Sequence, residues 1–127
     1  LSARQNEEEV KCVLVSLTVK IQGSTEVLMA QEIGNSLYGL QKMDSQHAEV
    51  RALLSALTVK IQGSTEALDA QHVGNSLYGL QKMDSQHTEV RALLQVLTAK
   101  IQDSTDVLTA QHVGNSLYGL QKMDSQY

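Results

Sequence analysis

Gly-Asn-Ser-Leu-Tyr-Gly-Leu-Gln-Lys-Met occurs at Gly34–Met43, again at Gly74–Met83 and again at Gly114–Met123, without one change. The period is 40 residues, and it extends beyond the motif: Asp44–Met83 and Asp84–Met123 differ at only eight positions. A period of this length marks a repeat architecture, in which one supersecondary unit is copied and the copies stack to bury a shared core. None of the eight differences falls inside the motif.

Wound as a helix, the second copy separates into two faces. Ala70, Val73, Leu77 and Leu80 recur at the spacing of a buried helix side. Gln71, Asn75, Tyr78 and Lys82 fall opposite. The same stripe returns as Gln31, Asn35, Tyr38 and Lys42, and as Gln111, Asn115, Tyr118 and Lys122. It combines amides that donate and accept, a phenol that stacks and donates, and a flexible cation. This is the chemically versatile surface of the chain and its candidate binding face. The plainer reading has each tyrosine packed between neighbouring units, the amides tying helices together and the lysines solvated.

Around each motif helix stands a longer, leucine-rich one. The pattern predicts an all-α fold of six helices, at about 6–22, 30–43, 46–62, 70–83, 86–102 and 110–123. They are expected to stack as antiparallel hairpins into a single α-solenoid domain spanning residues 1–127. Asn6 with Glu9 reads as a capping box for the first helix, whose buried face is Val10, Val13, Leu14, Leu17 and Ile21. Gly23 and Gly63 read as left-handed stops, with Asp103 in their place in the third unit. Asp69 and Thr109 are the expected N-caps of the second and third motif helices, and Leu68 with Val73 the hydrophobic staple of the second. Met29 offers no cap, so the first motif helix is expected to fray. Four differences between the full units, 48/88, 55/95, 56/96 and 59/99, lie opposite the leucine face of the longer helix and predict an outer, tolerant side.

Composition excludes more than it selects. Hydrophobic residues make up 42% of the chain and the net charge is −4, which weighs against a strongly basic nucleic-acid protein. No apolar run approaches the ~18 residues of a membrane span, so a soluble, intracellular protein is expected. Cys12 has no second cysteine to pair with and is expected to be a small buried or half-buried helix residue. Leu1, in mid-repeat and not a methionine, reads as belonging to a piece of something longer.

No catalytic signature emerges, and neither an enzyme nor a cofactor is expected. The histidines form two repeat-related pairs, His47 with His87 and His72 with His112. Units spaced by about 8–10 Å hold equivalent side chains too far apart to share a zinc. His47-Ala48-Glu49 lacks the second histidine of a zinc-protease helix, and the motif lacks the lysine and hydroxyl of a phosphate loop. Asp44, Asp69 and Asp84 are explained as caps. Gly74 and Gly79 each weaken a helix by about 1 kcal/mol relative to alanine, which reads as close helix–helix approach in preference to ligand contact.

The run Leu68-Asp69-Ala70-Gln71-His72-Val73-Gly74-Asn75-Ser76-Leu77-Tyr78-Gly79-Leu80, followed by the leucine-rich Val90–Ile101, resembles the octotricopeptide type of helical-hairpin repeat found in algal organelle proteins. This chain departs from the family in having no proline. The resemblance implies an α-solenoid that binds single-stranded RNA in an organelle, chloroplast or mitochondrion. From the residues themselves, a scaffold holding protein partners is the first expectation. Val113, Leu117, Leu120 and Met123 repeat the core stripe with no helix after them. That face is therefore expected to be covered by further repeats, by a different subunit, or by a second copy in a homo-oligomer.

Overall fold

The computed structural model describes residues 3–124, with side chains from Glu7 onward. Among the described residues there are six α-helices and no strand: α1 (Ala3–Gly23), α2 (Ala30–Tyr38), α3 (Ala48–Gln62), α4 (Ala70–Tyr78), α5 (Thr88–Asp103) and α6 (Ala110–Gly119). Long and short helices alternate as expected, but their ends move. Because α1 starts at Ala3, Asn6 lies within the helix and not at its cap, and its side chain falls outside the described ones. The helices α3 and α5 start two residues later than the pattern indicates, since Asp44 and Asp84 first close a turn by accepting the Gln46 and Gln86 N–H groups, each at 2.8 Å.

The motif helices stop at Tyr38, Tyr78 and Gly119, short of Met43, Met83 and Met123. Beyond Tyr38 the backbone tightens into three-residue spacing, Leu40 N–H to the Leu37 carbonyl at 3.0 Å and Met43 N–H to the Leu40 carbonyl at 2.8 Å. Such 3₁₀ geometry commonly ends an α-helix. The left-handed stops are also corrected. No described residue has a positive φ, and Gly63 sits at φ −77°, ψ −8°. The physical reason is local: at Gly63 the chain leaves α3 with right-handed bonds, Gly63 N–H to the Val59 carbonyl and Ser64 N–H to that of Ile61, both at 3.1 Å. The linker carbonyls beyond are held by side chains of the next unit. Lys60 Nζ donates to the carbonyls of Ser24 and Glu26, and Lys100 Nζ to those of Ser64 and Glu66. Ser64 Oγ donates to the Leu28 carbonyl and Ser104 Oγ to that of Leu68, both at 2.6 Å.

The closest helix packing joins every second helix: α1 with α3 and α3 with α5, α2 with α4 and α4 with α6. It is therefore not the sequence-adjacent hairpin that forms the tightest contact. Between the two rows lies one core, in which Ile33, Leu37, Leu54, Ile61, Leu80 and Leu93 are fully buried. The leucine face expected of the long helices is really two adjoining faces. In α3 both are covered: Val50, Leu53 and Leu57 on one side, Leu54, Thr58 and Ile61 on the other. In α1 only the second is, with Leu14 and Thr18 buried, while Val10, Val13 and Leu17 are 52%, 63% and 47% exposed. The pattern reverses in α5, where Val90, Leu93 and Leu97 are buried and Thr98 is exposed. Positions like Leu53 and Leu57 thus face the preceding unit, and positions like Leu54 and Thr58 the following one.

Two smaller expectations change. Cys12 is exposed, on the same outward position of the unit as Ala52 and Ala92. Of the variable positions on the long helix, Ala48, Ser55 and Val59 do face outward, but Ala56 is buried.

Candidate binding surface on the motif helices

The geometry of the surface begins with a glycine. A Cβ built on Gly79 would lie 1.7 Å from the Leu37 carbonyl oxygen and 2.9 Å from the Tyr38 Cα; one on Gly119 would lie 1.7 Å from the Leu77 oxygen and 2.8 Å from the Tyr78 Cα. No side chain fits there, so the backbones of consecutive motif helices touch. At the other end of the helix the demand is milder. A Cβ on Gly34 or Gly74 would make ordinary contacts with His72 or His112, at 3.4 Å or more. Close approach was expected at both glycines; only Gly79 and its equivalent Gly119 require it.

The contact sets the spacing of the tyrosines. Tyr38 stacks on Tyr78 with ring centroids 5.5 Å apart and planes 19° from parallel, and Tyr78 stacks on Tyr118 at 5.5 Å and 21°. This is far closer than the 8–10 Å typical of packed helix axes. The three phenols form one continuous column at the molecular surface, where Tyr38 and Tyr118 are 43% and 51% exposed and Tyr78 is half-buried.

Beside the column lie the other residues of the stripe. Gln31, Gln71, Gln111, Asn35, Lys42, Lys82 and Lys122 are exposed; Asn75 and Asn115 are half-buried. The hydrogen bonds and ion pairs of the described residues include none from these nine side chains. Among the described residues the stripe's amides make no tie between helices; the neighbouring Gln41 and Gln81 bond within their own segments, donating to the carbonyls of Tyr38 and Tyr78 one turn back, at 3.2 and 3.0 Å. All twelve residues of the stripe are thus exposed or half-buried, and the nine amide and lysine side chains are unspent among the described residues.

Caps hold the helices that carry it. Asp69 Oδ1 accepts the His72 N–H at 2.8 Å and Thr109 Oγ1 accepts that of His112 at 3.3 Å. His72 and His112 return the bond through Nδ1, accepting the backbone N–H groups of Asp69 and Thr109. These histidines are structural members of the helix start. At Met29 the missing side-chain cap is offset in part by Glu32, whose carboxylate accepts the Met29 N–H at 2.9 Å. A further cap comes from the neighbouring unit. Glu66 accepts the first helical N–H of α2, on Ala30, at 3.5 Å, and Asp106 that of α4, on Ala70, at 3.0 Å. Sequence reasoning missed Lys60, Lys100, Glu66 and Asp106 as joint residues. The available signal was the retention of a lysine at 60 and 100, and of a carboxylate at 66 and 106 where the residue itself changes from Glu to Asp.

No group of three or more His, Cys, Asp or Glu side chains among the described residues is gathered closely enough to hold a metal ion. None of the described helices is long and apolar enough to cross a membrane. No family model, curated protein or solved structure matches the chain.

Proposed function

We propose that the chain is a non-catalytic α-solenoid whose motif helices present the tyrosine column as a binding face for protein partners in a larger assembly. The observation that carries this reading is the stack itself: three phenols ring against ring, flanked by amides and lysines that no described residue engages. The repetition of the same inter-unit bonds from Lys60 and Lys100, and from Ser64 and Ser104, supports the solenoid.

The column favours a polypeptide over a nucleic acid. A base inserted between two rings needs a gap of two stacking thicknesses, and neighbouring rings stand a single one apart. What the column offers is phenol edges and unspent amides, which match the alternating N–H and carbonyl groups of an extended backbone. Three near-identical rungs read a repetitive or generic feature. A net charge of −4 adds repulsion toward polyanions.

A second reading, single-stranded RNA binding of the octotricopeptide kind in an organelle, rests on the exposed Lys42, Lys82 and Lys122, which have no ion-pair partner among the described residues. One experiment separates the two. The chain has no tryptophan, and three of its four tyrosines form the column, so its intrinsic fluorescence reports mainly on the column during titration with members of a random peptide library and with RNA oligonucleotides. The first reading expects peptide binding that survives 0.5 M salt, about the concentration at which charge pairing is largely screened, and that is lost in the Asn35→Ala, Asn75→Ala, Asn115→Ala triple variant. Binding of RNA alone, with affinity falling steeply as salt rises, supports the second. Binding of neither class contradicts the column as a binding face.

A further inference from the structure

The two ends of the stack carry the two halves of a joint that the molecule already makes twice inside itself. We infer that copies of this chain associate head to tail, the α1–α2 end of one docking on the α5–α6 end of the next. The inference deepens the scaffold reading and rests on its α-solenoid geometry.

The internal joints define what such a contact needs. In each, a lysine and a serine of the later unit bond carbonyls of the earlier unit's linker, and a carboxylate of the later unit caps the earlier motif helix. A glycine of the later unit accepts the earlier helix's backbone, and the tyrosines stack. The later-unit half is complete at the first end, as Lys20, Ser24, Glu26, Tyr38 and Gly39, with no residue type changed from the second unit. Lys20 is exposed and has no hydrogen bond or ion pair among the described residues, unlike Lys60 and Lys100.

The earlier-unit half is present at the other end. Ala110, whose counterparts Ala30 and Ala70 are buried at 6% exposure, lies exposed with no carboxylate on its N–H. Leu108, Val113 and Leu117 are 38%, 43% and 64% exposed, whereas Leu68, Val73 and Leu77 are 2%, 2% and 8% exposed beneath the following unit. In the same way Val10, Val13 and Leu17, the open side of α1, lie where Val50, Leu53 and Leu57 are buried in α3. By the packing of α1 with α3 and α2 with α4, α1 of the next copy would lie against α5 and its α2 against α6. Among the described residues Tyr38 and Tyr118 each stack on one ring only, on opposite ends of the column, so docking would continue the column from copy to copy. Because the contact is heterologous, each addition recreates an open end and growth does not stop at a dimer.

Gly39 makes the inference testable without disturbing the single copy. A Cβ there meets only carbonyls of its own helix, at 3.4 Å or more, but in the joint it would strike the Leu117 carbonyl as Gly79 would strike that of Leu37. Sedimentation velocity of the 127-residue chain, with reductant to keep Cys12 free, is expected to show a mass that climbs from 13.9 kDa with concentration, passing beyond a dimer. Gly39→Ala is expected to remain at the single-chain mass at concentrations where the parent chain and a Gly23→Ala control assemble. Gly39→Ala keeps its α5–α6 end, so added at one part in ten it should shorten parent assemblies severalfold. Lys20→Ala, which loses no bond in the single copy, should also need severalfold higher concentration to assemble.

A parent chain that stays folded and monomeric, a plateau at the dimer, or Gly39→Ala assembling like the parent would each overturn the inference. In those cases an unchanged helical circular dichroism and cooperative unfolding would leave the α-solenoid reading standing. Loss of both would remove that reading too.

Discussion

At the scale of single residues, Gly79 and Gly39 occupy the same place in their units and bear different loads. The first lies against the Leu37 carbonyl, where a methyl group has no room; the second has no unit before it among the described residues. Gly79→Ala and Gly119→Ala should therefore each destabilise the chain by about 2 kcal/mol or more, the scale of an overpacking that only backbone movement relieves. Gly39→Ala is expected to be neutral or to stabilise by up to about 1 kcal/mol, because the position is right-handed helical at φ −65°, ψ −14° and alanine is the better helix former. Chemical denaturation of the three variants checks this at assembly-free dilution. Equal costs at positions 39 and 79 would mean that the glycines serve helix ends and not the joint.

The elements show which parts of the fold could be read from sequence. Alternating long and short helices were legible because apolar spacing in Val50–Ile61 and Ala70–Leu80 reports directly on burial. So were the N-caps at Asp69 and Thr109, whose chemistry is local. Asp69→Ala should cost about 1 kcal/mol of unfolding free energy, measured by urea denaturation, whereas Met29→Ala should cost much less, since Met29 provides no side-chain cap bond. The helix stops were misread because glycine permits a left-handed turn without requiring one: at Gly63 the chain stays right-handed, its N–H on the Val59 carbonyl and the Ser64 N–H on that of Ile61. What could not be read locally is the linker beyond, whose Ser64 carbonyl is held by Lys100, 36 residues away. Likewise helical spacing puts the twelve stripe residues opposite the apolar face, but it does not show the tyrosine stack, whose 5.5 Å spacing goes with a glycine seated against the backbone of the neighbouring unit.

In the whole molecule, the proposed solenoid makes stability and shape sums over near-identical units and the joints between them. The lysine, serine and carboxylate bonds recur in both joints, from Lys60, Ser64 and Glu66 in one and from Lys100, Ser104 and Asp106 in the other, so one more unit of the second kind can make them again. The measurement that tests this most directly is insertion of an additional Asp44–Met83 segment directly after Met83, followed by guanidinium unfolding in dilute solution. A repeat array should give a folded chain with proportionately more helical signal and a higher unfolding midpoint. The denaturant slope should be larger by about a third, following the added surface that unfolding exposes. A misfolded or unfolded chain, or one whose midpoint and slope do not change, would contradict the repeat array.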